Sequence, residues 1–324
     1  MKKSHIGILI GLAFLILFPH VTSRYMTAFF LLLMMHIVMA ESYDIVGGYL
    51  GYINMGHSAF FGLGAYTFAV FLNANYGFFL SSLVAILAGV LFAALISFPF
   101  FRLRGAYFSL ATFGLIRLLE LLAFNLKSLT GGSSGIMIKA EYRLTLAYYF
   151  SLGLCVVTVG SIFLLTRSRL GLAWVAIRED EEAAQTFGIN VFKHKCVALM
   201  ISASFASLMG AFYTWYIIFI NPKVVFGLEI ALVPISMAML GGSGVIIGPM
   251  VGAFFITIVE EFLWTKVPYF HLAAYGIAIV LVGLFMPGGI VRLKSFQKTP
   301  DASGRVGGLR KVKMTNSKTQ MPNL

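Results

Sequence analysis

The chain is 324 residues long, 59% hydrophobic and only 11% charged, with 33 glycines and a mean hydropathy of +0.91. An ordinary soluble domain, in which about a quarter of the residues are charged, is excluded. The net charge of +12 comes from 24 Lys and Arg against 12 Asp and Glu, and the basic residues from Arg292 onward face only Asp301, a flank that fits retention beside a membrane better than a nucleic-acid partner.

No Asp, Glu, Lys or Arg interrupts Ile45 to Phe101, Leu144 to Thr166, Cys196 to Pro222, Ile230 to Val259 or Val267 to Val291. Each run is long enough to cross a bilayer, for which about 20 apolar residues suffice. A transmembrane barrel would instead show roughly ten-residue stretches alternating apolar and polar, and these runs are apolar all round. The expected fold is all-α, a polytopic transmembrane helical bundle of about ten spans. In chain order the spans are expected near Ile6 to Phe18, Tyr25 to Ala40, Ile45 to Leu72, Ser81 to Phe101, Gly105 to Phe124, Leu144 to Thr166, Cys196 to Ile220, Leu228 to Leu240, Val245 to Leu263 and His271 to Met286.

Lys2 and Lys3 ahead of an apolar stretch resemble a signal peptide, but the uncharged stretch Ser4 to Ser23 has span length and is read as a retained first crossing. With Lys2, Lys3, Arg102, Arg104, the Arg167 to Lys195 segment and the basic tail on one side, the path is consistent with both termini cytoplasmic. Residues 1–296 are then expected to form one transmembrane domain. Residues 297–324, rich in Gly, Ser, Lys, Thr and Asn, are expected to be a disordered cytoplasmic tail.

The soluble segment at about 167–195 is the most informative. Glu179, Asp180, Glu181 and Glu182 suit a helix N-terminus, Ala183 and Ala184 favour helix, and Gly188 suits a C-terminal stop. Composition alone leaves open a solvated connection. In the third span, the glycines from Gly47 to Gly64 allow close packing or a helix break beside a cavity. Gly244, Gly248 and Gly252, at every fourth position, form a flat packing face on the ninth.

Charged groups inside spans are costly and are therefore functional candidates. Arg117 and Glu120 can pair on one face of the fifth span; such a pair is structural, or opens to meet the two charges of a zwitterionic solute. Gly56 and His57 join them as pathway candidates, whereas His36 reads as packed or hydrogen-bonded. Glu229, Glu260 and Glu261 read as solvated helix ends. Cys155 and Cys196 are isolated, and no ligand-spaced cluster indicates a metal. No nucleophile with a neighbouring base points to an enzyme.

The stretch Glu182 to Gly188 (EAAQTFG) reproduces the Glu-Ala-Ala-x-x-x-Gly core of the coupling loop in permease subunits of bacterial ABC importers. Tyr49 to Tyr66, Arg102 to Thr112, Thr130 to Gly135, Ser168 to Asn190 and Leu240 to Gly252 resemble, in order, the branched-chain amino acid permeases of that group. The Ile-x-Leu-Pro extension of other importers is absent, its positions being Ala198, Leu199, Met200 and Ile201. The resemblance implies an amino-acid importer in the bacterial inner membrane with no cofactor of its own. It implies ATP bound on two ATP-binding cassette subunits, a second homologous permease and an extracytoplasmic substrate-binding protein. Arg178, Glu179, Glu182, Ala183, Ala184, Phe187 and Gly188 would couple to the ATPase. The chain has no Gly-Lys pair and so no P-loop of its own. A urea or short-amide permease shares the resemblance. An ion-coupled secondary transporter or channel would carry more midplane acids and need no docking loop.

Overall fold

Lipid offers the backbone no hydrogen-bond partners, so apolar runs of this length close their bonds within helices. The computed structural model describes residues 14–139, 141, 143–266, 276 and 289–291. Most of the predicted first span, the tenth from His271 to Met286 and the tail from 297 lie outside the described residues.

Residues 14–21 are helical. Helix α1 (Arg24–Asp44) starts at Ser23, whose hydroxyl accepts the Met26 N–H, and runs into a π-helical turn, Ile45–Tyr49. Then come α2 (His57–Asn73), α3 (Phe78–Phe100), α4 (Ala106–Asn125), α5 (Lys127–Thr130), strand β1 (Ile136–Met137), α6 (Leu144–Thr166), α7 (Arg169–Glu179), α8 (Glu181–Thr186) and α9 (Val191–Ile217). Strand β2 (Phe219–Ile220), α10 (Pro222–Val225), α11 (Leu228–Gly241) and α12 (Ile247–Lys266) complete the described elements. Among the described residues, six helical segments are long and apolar enough to cross a membrane: Arg24–Tyr49, Phe78–Phe100, Ala106–Asn125, Leu144–Thr166, Val191–Ile217 and Pro222–Gly241.

Two boundaries differ from the sequence reading. The run from Ile45 to Leu72 is not one span: residues 45–49 complete the preceding helix, and helix resumes only at His57. Gly47, Gly48, Gly51 and Gly56 lower helix propensity there, and Gly51 adopts φ +82°. Gly244 lies outside the ninth span, in the turn before α12, at φ +79°. Gly248 and Gly252 do form a packing face, against Gly241 and Met237 of α11.

The core centres on α9, which packs against α1, α2 and α3. Gly210 of α9 faces the Phe61 carbonyl of α2, and Gly64 of α2 faces the Ser207 backbone of α9, each too close for a Cβ. Small residues let the helices meet backbone to backbone. His36 bonds Thr257 of α12, Nδ1 to Oγ1, at 2.8 Å, and the Tyr25 hydroxyl donates to Glu261. The helix ends sort into two sets. At one end β1 pairs with β2, Ile136 opposite Ile220, and Asn73 Nδ2 donates to the Met137 carbonyl at 3.0 Å. At the other, the start of α9, the α1–α2 break, Arg104 and α7–α8 converge.

Gly210→Leu should lower the midpoint of thermal unfolding in detergent, overpacking costing about 1–3 kcal/mol. Gly160→Leu, in open space on α6, should leave it unchanged. Equal midpoints for both variants would mean that the α2–α9 crossing is not close-packed.

Candidate functional site

The segment at about 167–195 holds two short helices, α7 and α8, ahead of the start of α9. Leu170, Ala173, Trp174 and Ile177 recur at helical spacing and turn α7 inward: the last three are buried, and Leu170 packs against the same core. The Trp174 indole N–H donates to the His194 carbonyl at 3.1 Å, pinning α7 to α9. Asp180 ends α7 in an extended conformation and caps α8, its Oδ1 accepting the N–H groups of Glu182 at 2.9 Å and Ala183 at 3.0 Å. Glu181 and Glu182 occupy the acidic first turn. At the other end Gly188, at φ +82°, donates to the Gln185 carbonyl, and Ile189 to that of Ala184. This is a Schellman stop, in the conformation glycine tolerates best.

Helix α8 has a fixed and a free face. Ala184 is 2% exposed and Phe187 86% exposed. Ala184 therefore packs inward and cannot supply the outward contact expected of it. Ala183 is exposed, as are the side chains of Glu179 at 70% and Glu182 at 83%; Glu182 lies 3.8 Å from Arg104.

Glu181 anchors the inner side. Its Oε1 accepts from Lys195 Nζ at 2.6 Å and its Oε2 from the Tyr52 hydroxyl at 2.9 Å, while Lys195 Nζ also donates to Tyr52 at 2.6 Å and stands 4.4 Å from its ring. Partial burial would raise the Glu181 carboxyl, but the hydrogen bonds from Lys195 and Tyr52, with the charges of Lys195 and Arg104, hold it below its ordinary 4.5.

Arg178 also turns inward. Its Nη1 donates to the Gly48 carbonyl at 2.8 Å and its Nη2 to Glu179 Oε1 at 2.9 Å. Beside it, Asp44 Oδ2 accepts the Gly244 N–H at 2.9 Å. The guanidinium thus lies between the end of the first described span and the turn before α12, away from the free face of α8.

The four pathway candidates form two pairs, Gly56 and His57 at the start of α2 and Arg117 and Glu120 on α4. His57 is fully buried, with Nε2 3.0 Å from Ser42 Oγ. Gly56 is buried against Thr112 of α4. Arg117 and Glu120 do pair, at 2.6 Å across one turn of α4, with side chains 48% and 14% exposed. Sequence reading overlooked two acids: Glu41 and Asp44 are fully buried, and neither Glu41 carboxyl oxygen has a hydrogen-bond partner among the described residues. No group of three His, Cys, Asp or Glu among the described residues could hold a metal.

The described residues thus form a bundle of apolar helices carrying a capped helix pair at one end. The family model described as branched-chain amino acid transport system / permease component matches residues 25–286, and the chain belongs to that family. It is similar to the high-affinity branched-chain amino acid transport system permease proteins LivM of Escherichia coli K12 (29% identity, 84% of this chain and 71% of the relative) and Salmonella typhimurium LT2 (28%, 89% and 75%). The autoinducer 2 import system permease protein LsrC of Yersinia enterocolitica is 30% identical over 62% of this chain and 58% of its own length. No solved structure matches. The chain is accordingly a multi-pass permease subunit of an ABC importer family, not a catalytic enzyme.

A carboxylate with a lowered pKa stabilises the fold above its ordinary range and loses that contribution as pH falls through its folded value. Glu181→Gln should therefore destabilise the protein by about 1–3 kcal/mol at neutral pH. The gap to wild type should close as pH drops below 4.5. Thermal melts of both proteins against pH check this; a pH-independent gap would rule out the ion pair as its source.

Proposed function

We propose that the protein is the permease subunit of an ATP-driven importer in the bacterial inner membrane, carrying branched-chain or related amino acids into the cytoplasm. The observation that carries the reading is the free face of α8. Exposed Glu182 and Phe187 stand at the two ends of a capped helix fixed from behind by Ala184 and Glu181, with exposed Glu179 at the end of α7 beside it. An exposed aromatic ringed by charge fits a cleft with an apolar floor and a basic rim, and an ATP-binding subunit offers it. Helix α7 carries the load into the bundle. In this reading two ATP-binding cassette subunits, a second permease and an extracytoplasmic binding protein complete the importer. The end bearing Arg102, Arg104, Arg169 and Arg178 faces the cytoplasm, by the excess of basic residues on that side.

The substrate class rests on the LivM relatives, whose matches cover 84% and 89% of the chain, against 62% for LsrC. In proteoliposomes holding the assembled complex, uptake of labelled leucine, isoleucine or valine should stop with vanadate and persist with a protonophore while ATP is maintained. The reverse would overturn the ATP-driven reading. Phe187→Ala and Glu182→Lys should each weaken association with the ATP-binding subunit by about tenfold, the second more at low ionic strength. Gly188→Val should act in the same direction through backbone strain, since no atom of the described residues lies within 4 Å of where a Gly188 Cβ would stand. Unchanged assembly in all three would remove α8 as the docking element.

A further inference from the structure

A long helix that ends inside protein leaves carbonyls without intrahelical donors. The 26-residue span Arg24–Tyr49 ends in this way, in a π-helical turn followed by an unwound segment. The Tyr52 N–H takes the Val46 carbonyl at 2.9 Å. The Gly48 carbonyl is taken by Arg178, reaching in from α7. A cation at a helix C-terminus is stabilising in its own right. Space for it is made by glycine: a Cβ at Gly51 would stand 2.6 Å from Arg178 Cγ, and one at Gly244 2.7 Å from Arg178 Nη1. Gly48 in turn lies too close to the Asp44 carboxylate and the Gly244 backbone for any side chain. Asp44 closes the arrangement by accepting the Gly244 N–H. Three chain segments thus meet around one guanidinium: the base of the docking helices, the end of α1 and the turn entering α12.

We propose that Arg178 is the positioning residue through which movement of α7–α8 enters the membrane bundle, with the π-helical turn Ile45–Tyr49 and the Gly244 turn as the elements it moves. The assignment rests on α8 receiving an ATP-binding subunit and adds the point of transmission. Helix α7 is fixed at Trp174 to the start of α9 and at Arg178 to the end of α1. A tilt of α7 about the Trp174 anchor therefore pulls on Gly48 and presses on Gly244. π-Helical turns are common at functional sites, and an unwound segment absorbs backbone rotation that a regular helix resists.

The test is amide hydrogen exchange on the assembled complex in nanodiscs, nucleotide-free and vanadate-trapped. In the wild-type complex, amides of residues 45–51 and 242–246 should change protection by about tenfold between the two states. Arg178→Ala should keep the ATP-binding subunit bound and hydrolysing while that change disappears. Arg178→Lys, which retains a donor to Gly48, should restore part of it. A wild-type complex with no nucleotide-dependent change in these segments overturns the proposal without needing any variant. So does an Arg178→Ala complex that keeps the change, or one that loses the ATP-binding subunit, since Arg178 would then belong to the docking surface. Failure of the wild-type chain to bind any ATP-binding subunit would instead defeat the functional reading beneath it.

Discussion

Backbone carbonyls cannot be left bare where water does not reach, and the fold is organised around the place where that demand is hardest to meet. Between Tyr49 and His57 the helical path is interrupted beside the bundle core. The interruption is supplied from three directions: by Arg178 at Gly48, by the chain itself at Val46 and by Asn54, whose Oδ1 accepts the Gly56 N–H at 2.9 Å. Remove the guanidinium and a carbonyl is stranded next to a buried carboxylate, Asp44. The glycines of this region follow from the same demand, because a side chain at Gly48 would occupy the space the polar groups need to meet.

The interruption also explains why the soluble helices sit where they do. Tyr52, within the unwound segment, joins Lys195 at the start of α9 and Glu181 at the start of α8. An ammonium enclosed in protein is tolerable only with a carboxylate and further hydrogen bonds at hand. Glu181 supplies the charge and Tyr52 the second oxygen. Helix α8, the broken helix and the long central helix thus share one polar contact set, and α8 cannot shift without disturbing the segment beneath it.

Much of the bundle was legible from charge spacing alone. The predicted span from Leu144 to Thr166 coincides with α6, and the spans centred on Ser81 to Phe101 and Gly105 to Phe124 differ from α3 and α4 by a few residues at their ends. Charge spacing fails where a helix breaks without a charge, as at Ile45 to Leu72, because hydropathy does not register backbone geometry. It fails in the opposite sense at Glu41 and Asp44. Two acids between apolar runs look like a loop, yet both lie in the last turn of α1, fully buried. The stop at Gly188 was legible because a left-handed turn has a residue signature. The inward orientation of Ala184 and Arg178 was not, since it depends on where α7 ends and α8 begins, a boundary set by the extended backbone of Asp180 and its cap on α8.

That boundary decides the division of labour in the segment. On one uninterrupted helix, Arg178 and Glu182, four positions apart, would share a face and point the same way. The extended residue Asp180, at φ −156° and ψ 112°, resets the helical phase between them. Arg178 consequently reaches into the bundle, while Glu182 stands 83% exposed. One residue at the hinge lets five consecutive charged positions serve two directions: Glu179 and Glu182 outward, Arg178 and Glu181 inward, and Asp180 as the cap that fixes both. A substitution at the hinge that rejoined the two helices would rotate one set out of register with the other. The short connection at Asp180 therefore decides which of these charges the segment exposes and which it buries.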